Sequence, residues 1–145
     1  MLLSTFEDAI GRFKGTKADV LSTPEPPPSP AELEAFERTQ GFRLPVAYKE
    51  ATVRLGTGDI GFANVYSVRP GPYNIALQRG EVSGLPLDFV PISDNGCGDF
   101  YGFVVCAGEC LPEVYFADHE SDYKPARTKF TDLYEYLVRY AFNAA

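Results

Sequence analysis

Residues 86–120 read PLDFVPISDNGCGDFYGFVVCAGECLPEVYFADHE, and this stretch decides the fold. β-Branched and aromatic residues fill 88–93 and again 99–106, while the Asp94-Asn95-Gly96-Cys97-Gly98 insert between them carries turn residues suited to positive φ. The pattern predicts an antiparallel hairpin. Along its second strand Phe100, Val104 and Cys106 alternate with Tyr101, Phe103 and Val105, so both faces are apolar. That places the strand centrally in a covered sheet, with Cys106 as a small core residue. Residues 109–112 supply the next turn and 114–117 a third strand, completing a meander.

Upstream the grammar is helical. Phe6, Ile10 and Phe13 fall at helical spacing over residues 4–14, Ser4 with Glu7 has the form of a capping box, and Gly15 supplies a left-handed stop. Residues 17–28 end in Pro-Glu-Pro-Pro-Pro, which favours a polyproline conformation and reads as a stiff connector. Ser29-Pro30-Ala31-Glu32 is a second capping signal. It opens a helix with Leu33 and Phe36 inward and Gly41 at its end, after which Phe42 folds back on Phe36. Pro45 starts another helix on which Val46, Tyr48, Ala51 and Leu55 recur until Gly56. Beyond the Gly-rich residues 56–61, residues 62–68 form the first strand candidate, and 70–87 fit either a short helix or a strand around Asn74. Downstream of the meander, Phe130, Leu133, Tyr134, Leu137, Val138 and Ala141 give a C-terminal helix, with Thr131 and Asp132 near its start. The fold expected is α+β: a mostly antiparallel sheet with N-terminal helices and a C-terminal helix packed on it. It occupies 1–145 as one domain, divided into an N-terminal helical extension (1–23), a Pro-rich connector (24–30) and a core (29–143).

Composition narrows the function. A length of 145 residues fits one domain, and 45% hydrophobic with 14% aromatic residues excludes disorder. Twenty acids against 13 bases give a net charge of -7 with no basic cluster, so nucleic acid is excluded as a partner. An acidic surface is either plainly solvated or steers a basic protein partner. Cys97, Cys106 and Cys110 match neither a disulfide framework nor a four-ligand zinc site, so reduced thiols in a cytoplasmic protein are expected. Acids interrupt the N-terminus where a signal peptide needs an apolar core, and no run approaches membrane-spanning length. No Gly-rich phosphate loop with a following Lys is present, and no cofactor is expected.

Four blocks in order carry a resemblance: PSPAELEAFERTQGFRLPVAYKE, then FVPISDNGCGDFYGF, then VYFADHESDY, then FTDLYEYL. Together they resemble the SUKH superfamily, the Smi/Knr-type group of immunity proteins and cell-wall regulators, over roughly residues 28–139. The resemblance implies helices packed on a mostly antiparallel sheet and no catalysis. In bacterial members it implies a cytoplasmic antidote that binds and blocks a toxin, often a nuclease.

Asp94, Asp99, Asp118, His119, Glu120 and Asp122 are also the residue types of a metal or acid/base cluster, and His119 is the sole imidazole. Their spacing matches no metal loop, and Cys97 lacks a second His to activate it, so neither a metal site nor a nucleophile is assigned. The candidate partner-binding residues are Asp94, Asp99, Asp118, Glu120 and Asp122 with Tyr101 and Tyr115, carboxylates for encounter and tyrosines for buried area. The leading reading is an immunity-type protein that occludes the active site of a basic toxin domain. A regulatory or scaffold module is the alternative, and a metal-dependent hydrolase around Asp94, Asp99 and His119 the minor one. A homodimer through the Phe-rich helices stays open.

Overall fold

The computed structural model of the chain describes residues 1–144. Its N-terminal half is α1 (Leu3–Phe13), α2 (Lys17–Val20), β1 (Thr23–Glu25), α3 (Pro30–Gln40), α4 (Val46–Leu55), β2 (Thr57–Ile60), β3 (Ala63–Val65) and α5 (Ile75–Glu81). The C-terminal half is β4 (Phe89–Asp94), β5 (Phe100–Cys106), β6 (Glu109–Cys110), β7 (Tyr115–Ala117), β8 (Pro125–Arg127) and α6 (Leu133–Tyr136), which runs on as a wider π-helical turn over Leu137–Ala141. Fold class is thus α+β as the sequence indicates, with every strand pair antiparallel.

Two sheets share the work expected of one. β1, β2 and β3 form the first; β4, β5, β7 and β8 form the second in that order, with β6 also on β5. The Tyr66 amide donates to the Ile92 carbonyl at 2.8 Å and joins them. β5 is central, as its two apolar faces require. Gly102 interrupts its aromatic run because a β-carbon there would collide with the Val90 carbonyl oxygen and lie 2.7 Å from Phe89 Cζ. β1 and β8 are the outer strands, three residues each, and each contains a proline.

One continuous core lies between sheets and helices, with Tyr48, Phe89, Ile92, Phe103, Leu133 and Tyr136 fully buried. Residues 1–23 feed the same core: Phe6 stacks on Tyr134 at 4.7 Å and Phe13 on Phe142 at 4.1 Å. The Ser29–Glu32 capping box forms in both directions, at 3.1 and 3.0 Å, and Gly41 closes α3 at φ +79. Phe42 meets Phe36 edge-on at 6.1 Å, as the stop motif predicts.

Several expectations are corrected. Leu2, not Ser4, is the N-cap of α1; Ser4 already lies inside the helix, so no Ser4–Glu7 box forms. Val46 is 70% exposed, because Ala47, Tyr48, Ala51, Thr52 and Leu55 fill the inward stripe of α4. The strand expected over 62–68 is confined to Ala63–Val65, with Phe62 in the turn before it. β2 arises from Thr-Gly-Asp-Ile, a poor strand former that is held by a partner on each side. Residues 70–87 contain α5, capped by the Asn74 side chain, whose Oδ1 accepts from the Leu77 amide at 2.9 Å. Cys106 is exposed at the end of β5 and is not a core residue; Cys110 is buried, and burial pushes its thiol up to about 12.

Candidate partner-binding site

Strand register brings the acids together. Asp94 pairs with Phe100, Phe100 with Ala117 and Ala117 with Pro125, so the β4 terminus, the β5 start, the β7 terminus and the β8 start lie at one end of the second sheet. Asp94, Asp99 and Asp118 sit there, and the 3-10 turn His119–Ser121 carries Glu120 and ends at Asp122, both exposed. Asp122 and Tyr123 are consecutive left-handed residues, φ +54 and +57, which turn the acidic loop sharply back towards β8.

Asp94 is anchored from below. Tyr66 OH donates to its Oδ2 at 2.6 Å and Asn64 Nδ2 at 2.9 Å, while the Gly96 amide donates to Oδ1 at 2.8 Å. Asn64 Oδ1 accepts from the Asp94 amide at 2.9 Å and from Ser93 Oγ at 3.0 Å, and Ser93 shares a 2.7 Å hydrogen bond with buried Tyr136. Burial, reinforced by the Asp94 carboxylate, raises the Tyr66 phenol well above its ordinary value. The turn therefore presents a carboxylate of fixed position, coupled through a polar chain to both sheets and α6.

Asp99 and His119 form a second anchor. Asn95 Nδ2 donates to Asp99 Oδ2 at 2.9 Å, and Oδ1 takes the His119 amide at 3.0 Å and His119 Nδ1 at 2.6 Å. These bonds, led by the one from Asn95, hold the Asp99 carboxyl down to about 2; the same contact raises the His119 imidazole. Asp118, Asp99 and His119 do bring one donor atom each within 4.8 Å of the others. Asp99 Oδ1 is engaged by His119 Nδ1, and Asp118 Oδ1 accepts from the Glu120 amide at 2.9 Å. The cluster is a tether between the β4–β5 turn and the loop after β7, and Asp94 faces a different set of partners.

The tyrosines divide. Tyr115 is buried in the core, and Tyr101 is half-buried in a ring cluster with Phe116 at 4.9 Å, Tyr136 at 5.0 Å and Tyr140 at 5.7 Å. Large exposed apolar groups lie elsewhere: Phe62 in the β2–β3 turn is 62% exposed and Leu21 after α2 is 65% exposed. Both border a cleft of about 420 Å³ whose walls include Asp59, Asn64, Asp94 and Tyr140. Sequence reasoning gave no role to Leu21, Asp59, Asn64 or Phe62. An unpaired aromatic flanked by Gly61 was the available signal for Phe62.

Helices packed on antiparallel sheets, with carboxylates gathered at one sheet end, define the chain as an α+β domain. The chain belongs to the SUKH_6 family, described as SMI1-KNR4 cell-wall, whose model matches residues 30–137. No curated protein matches the chain. No helix among the described residues is long and apolar enough to cross a membrane.

Proposed function

We propose that the chain is an immunity-type binding protein that docks on a basic toxin domain, of nuclease type, and covers its active site without performing catalysis. The observation that carries this reading is the convergence of Asp94, Asp99, Asp118, Glu120 and Asp122 at one sheet end of a chain with net charge -7. A cleft that attracts phosphate is lined with cations, and fixed carboxylates offer those cations a substitute. The Asp94 anchor and the Asp99–His119 tether fix the loops, with Glu120 and Asp122 the exposed part of the charge, so little ordering cost is left for binding. Exposed free thiols at Cys97 and Cys106 suit a cytoplasmic setting.

Co-expression tests the proposal. The chain should restore growth to cells expressing a nuclease toxin encoded beside its gene, and charge reversal at Glu120 and Asp122 together should weaken protection. A folded chain that protects against none of the neighbouring toxins overturns the antidote reading. That outcome favours a regulatory module binding a housekeeping protein, the reading to which the family's cell-wall description points.

A further inference from the structure

From the cleft beside the β2–β3 turn we infer that the partner contributes a segment carrying an apolar side chain flanked by arginine or lysine, seated between Phe62 and Leu21 and facing Asp59 and Asp94. The inference rests on the interaction reading above and names the chemistry of what is bound. The Phe62 ring projects from a fixed backbone: its amide donates to the Ala141 carbonyl at 2.9 Å, and the Gly61 amide donates to Ser22 Oγ at 2.7 Å. Gly61 has φ +57, and a β-carbon there would strike the Ala141 carbonyl oxygen, so the turn is pressed onto the C-terminal helix. A large apolar group on a rigid turn needs no backbone ordering when it is covered, which is the property of an interface anchor.

Charge selects the occupant. No Lys or Arg lines the cleft, and neither Asp59 nor Asp94 meets a cation within ion-pair distance among the described residues. Their hydrogen-bond partners, Tyr73 and Thr23 for Asp59 and Tyr66, Asn64 and Gly96 for Asp94, are all neutral. A second copy of the chain packed two-fold on this face would bring like carboxylates together, whereas a basic segment neutralises them while covering Phe62 and Leu21.

The test uses the full chain, 15N-labelled, titrated with a synthetic dodecapeptide alternating arginine and leucine, beside glutamate-leucine and arginine-serine controls. Amide shifts should centre on Leu21, Phe62, Asn64 and Gly96 with the first peptide only. Phe62→Ala and Leu21→Ala should each weaken binding about tenfold, whereas Leu87→Ala, an exposed apolar control, should not. Shifts centred on another face, equal binding of the arginine-serine peptide, or dimerisation abolished by Phe62→Ala would each overturn the inference. In a toxin pair found by co-expression, undiminished protection by the Phe62→Ala and Leu21→Ala variants sinks this cleft and leaves the antidote reading standing. Peptide binding at Phe62 without protection from any toxin does the reverse.

Discussion

Gly102 shows how one missing side chain sets a strand pairing. A β-carbon on it would strike the Val90 carbonyl of β4, so Gly102→Ala should destabilise the chain by about 2–3 kcal/mol, read as a lower denaturant midpoint at unchanged slope. Gly80 is the opposite case: it lies within α5 with open space where a β-carbon would go. Gly80→Ala should therefore raise stability by up to about 1 kcal/mol. Equal effects at the two positions would contradict the steric account. In the sequence both are single glycines in otherwise regular stretches, and nothing local distinguishes them. The difference comes from β4, whose Val90 carbonyl occupies the place of a β-carbon on Gly102, whereas nothing lies within 4 Å of one on Gly80. Asn64 was silent for the same reason, since its role depends on Ser93 and Asp94, some thirty positions away.

Elements with a strong period were legible, and their caps in part: the Ser29 box forms and the Ser4 box does not. The hairpin of β4 and β5, the α3 capping box and the stripe of the C-terminal helix all follow from local pattern. β2 and β8 were not legible, being Thr-Gly-Asp-Ile and Pro-Ala-Arg, short segments that become strands only through a partner. The loop tether between β5 and the turn after β7 carries a pH signature. Asp99 titrates below its ordinary range, so its contribution is complete above about pH 4 and is lost as pH falls through about 2. His119 titrates above its ordinary value, so its contribution is complete below about pH 6.5 and is lost as pH rises through the raised value. The tether should be firmest between about pH 4 and 6.5. Hydrogen exchange in residues 95–99 and 119–121, corrected for intrinsic rate, should be slowest in that window, and Asp99→Asn should return the His119 titration towards the ordinary imidazole range. An imidazole that titrates identically in that variant would disprove the coupling.

At the scale of the whole molecule, net charge and its placement govern encounter with a partner. For a basic toxin domain the association rate should fall about tenfold or more between low salt and about 0.5 M, while the dissociation rate changes little. An association rate indifferent to salt would remove steering from the account. The acidic sheet end was legible in the sequence because the meander fixes which turns lie side by side. The cleft at Phe62 was not, since Leu21, Phe62 and Asp94 come from three separate segments that meet only after α1 and α2 dock on the core. The outer strands, finally, bear on how such a chain behaves when crowded. Pro24 in β1 and Pro125 in β8 leave gaps in the row of amide donors on strands only three residues long. Short, proline-interrupted rims of this kind disfavour edge-to-edge pairing between copies, which matters for a chain with 11 Phe and 9 Tyr.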